Sequence, residues 1–209
     1  MNTNAKLILS LNRKALLLSY ITVGYNVLEG VVSIIVGALA GSIALVGFGL
    51  DSFVESLSGG VMIWRFRKQS EISEEKEEQM ERKATKLVAY TFFILAAYIL
   101  YESISTLVFQ ETPEPSLFGI IIAVVSLIVM PILFYQKYKT GIALSSRSLI
   151  ADSKETLACL FLSFALLIGL GANYLLGLWQ ADPIVGIIIV VFLVKEGYEI
   201  LKKETLETG

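Results

Sequence analysis

The chain contains no histidine. Every metal site or acid–base scheme built on imidazole is therefore closed to it. A single cysteine, Cys159, rules out an internal disulfide and leaves the redox compartment unread. Charge of one sign is also missing: 17 Lys and Arg stand against 19 Asp and Glu, for a net charge of -2. With no basic face, nucleic acid is not an expected partner. No nucleophile sits beside a base and no glycine-rich phosphate loop occurs, so covalent catalysis, enzyme activity and a permanently bound cofactor are not expected. Hydrophobic residues make up 55% of the chain and the mean hydropathy is +0.71. These values exclude an ordinary soluble domain and a disordered chain.

What is present is a series of long apolar runs. A membrane-spanning helix needs about 20 such residues. Six stretches qualify, at about 17–39, 42–66, 86–109, 117–136, 148–171 and 183–201. The runs are continuous, unlike the alternating pattern of a membrane β-barrel. The expected fold is all-α, a polytopic bundle of six transmembrane helices forming a single domain over 1–209. The first residues show no cleavage signal and read as a lead-in to the first span. Asp182 before Pro183 reads as a cap with proline at the first helical position. Ser116, after the breaker run TPEP, is expected to cap the fourth span, and Pro131 to kink it. The acidic segment 67–86, RKQSEISEEKEEQMERKATK, reads as a solvated cytoplasmic loop.

Basic residues set the orientation. Connections 40–42, 110–116 and 172–182 lack Lys and Arg. The other side holds Lys6, Arg13, Lys14, Arg65, Arg67, Lys68, Arg82, Lys83, Lys86, Lys137, Lys139, Arg147, Lys202 and Lys203. The positive-inside rule puts both termini in the cytoplasm. Compact size and absent targeting point to a prokaryotic plasma (inner) membrane.

Ionisable residues inside the spans carry the functional signal. Asp51 and Glu55 lie in GSIALVGFGLDSFVESLSGGVMIW, and Glu155 and Cys159 in LIADSKETLACLFLSFALL. Each pair is spaced four apart, so both side chains share one helix face. Burying a charge in lipid costs at least about 2.5–3.5 kcal/mol, and such residues are functional by default. Glu55 and Asp51 lie 11 and 15 residues from the inner end of the second span; Glu155 and Cys159 lie 7 and 11 from the inner end of the fifth. Antiparallel neighbours would face one pair against the other. Carboxylates so placed need a cation or protons, and basic partners at that depth are few, Lys154 being the nearest. The set is a candidate divalent metal site.

Other polar residues are less pointed. Glu29 matches the site depth, as a proton carrier, an accessory ligand or a partner of Asn26. Glu102 lies nearer the outer end of the third span, a second candidate proton or accessory site that either lines an outward cavity or pairs across helices with a Tyr or Ser hydroxyl. Asp152 and Asp182 stand near helix starts and read as caps. Gly37 and Gly41 form a small-residue contact motif, and Gly59 and Gly60 loosen the second span. Ser52, Ser56 and Ser58 read as interhelical hydrogen-bonding groups. Trp64, Tyr135, Tyr138, Tyr174 and Trp179 read as interface anchors.

The runs GSIALVGFGLDSFVES, ADSKETLAC and ADPIVGIIIVVFLVKEGYEI resemble spans two, five and six of the cation diffusion facilitators. The resemblance covers roughly residues 15–203. It implies a six-helix bundle that exports divalent metals, commonly zinc, by proton antiport, usually as a homodimer in a lipid bilayer. By position it implies a metal site of Asp51, Glu55, Glu155 and Cys159. Glu155 stands where zinc members have His, and Cys159 where they have Asp. A thiolate with carboxylates suits Zn²⁺, Fe²⁺, Co²⁺ or Cd²⁺ as substrate, while Mg²⁺ and Ca²⁺ fit poorly. The family's His- and Gly-rich signature after span two and its cytoplasmic C-terminal domain are absent here, as in a short, membrane-only branch. Two other readings stay open: a non-transporting membrane metal sensor or accessory protein, and a proton- or sodium-coupled carrier.

Overall fold

Long runs of Leu, Ile, Val and Ala satisfy every backbone polar group inside one helix, which lipid demands. The computed structural model describes the backbone of residues 3–68, 74–110, 113–114 and 116–206. Side chains are described for 7–67, 90, 92–94, 96–110, 113–114, 116–146, 148–150, 152–199 and 201–202. Lys6, Lys68, Arg82, Lys83, Lys86, Arg147 and Lys203, used above for orientation, have side chains outside the described residues.

Among the described residues all regular structure is helical: α1 Thr3–Ala40, α2 Ile43–Lys68, α3 Glu74–Phe109, α4 Leu117–Leu144, α5 Arg147–Leu176 and α6 Ala181–Leu206. The helices overrun the apolar stretches. In particular α3 begins at Glu74, so the charged segment from there on is helix continuous with the third apolar run. Four helices carry stretches long and apolar enough to cross a membrane: 7–40, 92–109, 117–144 and 148–176. In α2 the apolar run is diluted by Asp51, Glu55 and three serines, and α6 carries Asp182, Lys195 and Glu196.

The helix ends follow local chemistry. Ser116 caps α4, its hydroxyl accepting from Gly119 N at 3.1 Å. Ser146 caps α5, accepting from Leu149 N at 3.4 Å. Gly177 closes α5 in the left-handed region at φ 65°, where a glycine carries no Cβ penalty. Pro131 sits inside α4 without ending it.

Asp182 does not cap its own helix as expected. The α6 helix starts one residue earlier, at Ala181. The Asp182 carboxylate instead reaches the start of α2. It accepts from Ile43 N at 3.0 Å, Ala44 N at 3.3 Å and the Ser42 hydroxyl at 2.5 Å. Ser42 in turn caps α2 by accepting from Leu45 N at 3.1 Å.

The helices pair mainly as α1 with α2, α3 with α6, and α4 with α5, while α2 also packs against α5 and α6. Glycines set the closest crossing. A Cβ on Gly30 would lie 2.8 Å from Gly49 O, and one on Gly49 2.9 Å from Gly30 O. Gly37 serves the same seam, with Val46 N 2.8 Å from its missing Cβ. Gly41 does not extend this contact as the spacing suggested: at φ 66° it ends α1 in the left-handed region. Gly59 packs rather than loosens, since a Cβ there would meet Val23 at 2.7 Å; Gly60 faces open space.

Polarity is inverted relative to a water-soluble bundle. The outer surface carries Leu39, Ile94, Val108 and Phe118, each more than two-thirds exposed. The buried set includes Asn26, Glu29, Asp51, Ser52, Glu55, Lys137, Asp152 and Thr156. Such an arrangement is stable where the surrounding solvent is hydrocarbon.

Candidate functional site

The packing of α2 on α5 and α6 brings acidic side chains to one cavity. Asp51 and Glu55 come from α2, Glu155 from α5 and Glu196 from α6, with apolar walls that include Phe92 and Leu162. The cavity measures about 20 Å³, room for roughly one water molecule or ion. Glu55 Oε2 and Glu155 Oε2 are buried and accept no hydrogen bond from the described residues. Unpartnered buried carboxylate oxygens are costly, and a cation or proton would satisfy them. Among the described residues no three Asp, Glu or Cys groups stand close enough to grip one ion in this conformation.

Three of the four candidate ligands thus meet at the cavity. Cys159 lies one turn further along α5, buried, beside the lining residue Ala158. Glu196 was not singled out by sequence, although it lies in the run that marks the sixth span; it has no acidic or cysteine partner four residues away to draw attention to it.

Glu29 is buried but stands apart from the cavity lining. Tyr25 donates to its Oε1 at 2.7 Å and Ser52 to its Oε2 at 3.0 Å. These, not Asn26, are its partners, and the Asn26 amide makes no hydrogen bond among the described residues. Through Ser52 the Glu29 carboxylate leans on the residue next to Asp51. Glu102 is half-exposed on α3 and does not reach the cavity.

The largest departure from the sequence reading is Lys137. It reads as an interfacial charge like Lys139, yet it is fully buried. Its Nζ lies 2.8 Å from Asp152 Oδ2 and 3.8 Å from Glu55 Oε1. It also donates to Thr156 Oγ1 at 2.9 Å, and that hydroxyl donates to Glu55 Oε1 at 2.6 Å. Asp152 is consequently an ion-pair partner and not a cap; Ser146 holds that position on α5. Ser58 donates to Asp152 Oδ1 at 3.3 Å. Lys154, the basic residue nearest in sequence, is exposed on another face. The missed signal was hairpin register. Lys137 lies seven residues before the end of α4, and Asp152 and Thr156 lie five and nine residues after the start of α5. Across a two-residue connection those positions face one another.

A family model described as the cation efflux transmembrane domain matches residues 19–207. Transmembrane protein 163 of Xenopus laevis is 24% identical over 190 residues, covering 90% of this chain and 66% of that protein. Magnetosome protein MamB of a Magnetospira species is 26% identical over 185 residues, covering 87% and 61%. An uncharacterized transporter of Methanocaldococcus jannaschii is 24% identical over 179 residues, covering 84% and 63%. The chain spans just under two thirds of the length of each of these relatives.

Proposed function

Because the chain belongs to the cation efflux transmembrane domain family, we propose that it moves a divalent transition-metal cation across a bilayer in exchange for protons. The observation that carries this reading is the cavity of carboxylates from α2, α5 and α6, two of whose oxygens are buried without partners. Asp51, Glu55 and Glu155 bind the ion, and Cys159 supplies a soft fourth ligand. Carboxylates joined by a thiolate favour Zn²⁺, Fe²⁺, Co²⁺ or Cd²⁺ over Mg²⁺ or Ca²⁺.

Metal binding requires these groups to shed protons, so metal and protons compete for the same atoms. That competition is the exchange. Because no three ligands converge among the described residues in this conformation, gripping the ion draws α2 and α5 together, and alternating access follows from rocking of these helices. Glu29, held by Tyr25 and Ser52, is an accessory proton-binding group. The basic residues at one end of the bundle favour cytoplasmic termini in a plasma (inner) membrane, and a homodimer is the proposed assembly.

The test is uptake by proteoliposomes under an imposed pH gradient, comparing Zn²⁺, Fe²⁺, Co²⁺, Cd²⁺, Mn²⁺ and Mg²⁺. Gradient-driven flux of a transition metal is the expected result. Tight binding without flux of any ion favours a sensor or accessory protein instead. Flux driven by sodium and indifferent to metal overturns the proposal.

A further inference from the structure

Lys137 is a fully buried cation that the exchange described above does not use. Neither it nor Asp152 nor Thr156 lines the cavity. Lys137 and Thr156 both meet Glu55 at Oε1, the oxygen other than the unpartnered Oε2, and Asp152 stands behind them as the ion-pair partner of Lys137. The contacts are unequal. The ammonium is 1.0 Å closer to Asp152 Oδ2, at 2.8 Å, than to Glu55 Oε1, at 3.8 Å. Asp152 is therefore the fixed partner and Glu55 the exchangeable one. Thr156 links them, accepting from Lys137 and donating to Glu55, as one hydroxyl can.

We propose that Lys137 is the built-in counter-cation of the substrate-free site, holding Glu55 by Oε1, leaving Oε2 for the metal, and being pushed back onto Asp152 when the metal arrives. It is a positioning residue that acts through Glu55, and this inference rests on the transport reading above. The ammonium stays charged throughout. Two cations on one carboxylate repel in a low-dielectric interior. Lys137 therefore weakens metal binding and hastens release, which suits a carrier better than tight capture. It also compensates Glu55 when the metal has left, so the empty site is not a bare cluster of anions.

The test uses the full chain in lipid nanodiscs for Zn²⁺ binding and in proteoliposomes for KM and kcat. The paired substitution Lys137→Met with Asp152→Asn removes the cation without stranding a buried carboxylate. It is expected to bind Zn²⁺ about tenfold more tightly, the scale seen for close charge pairs, with KM and kcat both falling. Asp152→Asn alone leaves Lys137 only Glu55 to lean on, so Zn²⁺ binding weakens by about the same factor. Lys137→Arg keeps the charge and falls between the two. A merely structural role moves both variants in the same direction, towards weaker binding and lower flux. Shifts of the same sign, or none, overturn the inference while leaving the metal site intact. Wild-type protein that binds neither Zn²⁺, Co²⁺ nor Cd²⁺ overturns the transport reading and this inference together.

Discussion

At the residue scale, Thr156 joins the two charge systems of the bundle. Its hydroxyl accepts from Lys137 and donates to Glu55, both within 3 Å. Thr156→Val keeps the shape and deletes both bonds. Leaving buried charged groups short of partners costs about 1–3 kcal/mol, so the variant should unfold at lower denaturant or temperature in detergent. Cys159→Asp probes the substrate instead. Exchanging a soft sulfur for a hard oxygen should shift preference from Cd²⁺ and Zn²⁺ towards Mn²⁺ with transport retained, read as competition between ions in one uptake assay. The Asp51–Glu55 and Glu155–Cys159 pairs were legible because four-residue spacing inside one helix is written in the chain itself. Lys137 with Asp152 was not. Two lysines at 137 and 139, after an apolar run, carry the pattern of a membrane interface, and only the packing of α4 on α5 separates the buried one from its exposed neighbour.

At the element scale, the α1–α2 seam depends on glycine. Any side chain at Gly30 or Gly49 meets backbone oxygen within 3 Å, and backbone cannot rotate away. Gly49→Val should therefore separate the helices and abolish both folded yield and flux, whereas Gly60→Ala, facing open space, should be accepted with normal yield. The start of α2 offers a milder test. Asp182 receives two of its orphan N–H groups, and loss of a capping group costs about 0.5–2 kcal/mol. Asp182→Ala should lower stability by that amount without changing which metals compete for transport. The need for a cap at Asp182 was visible beside Pro183. Its target was not, because a carboxylate that caps a helix more than a hundred residues away in the chain leaves no local pattern.

At the scale of the whole molecule, the proposed topology takes each of the six helices of the described residues across the bilayer and so returns the chain to the side on which it began. The helix count was readable from six apolar stretches, although among the described residues only four of them fall in helices long and apolar enough to cross a membrane by themselves. The order of packing was less readable, because buried polar residues such as Asn26, Lys137 and Asp152 mark the inward face of α1, α4 and α5 without marking which helix that face meets. Reporter tags at the two ends of the chain should both be protected, or both be accessible, in sealed inside-out vesicles. The central claim is that the α2–α5 carboxylates carry a metal across the bilayer. The most direct measurement is Zn²⁺ uptake into proteoliposomes under a pH gradient, with wild-type and Asp51→Ala proteins reconstituted at equal density. Gradient-dependent uptake by the wild type that vanishes in Asp51→Ala is the expected result. Equal uptake by both proteins would contradict the site, and uptake by neither would contradict transport of this ion.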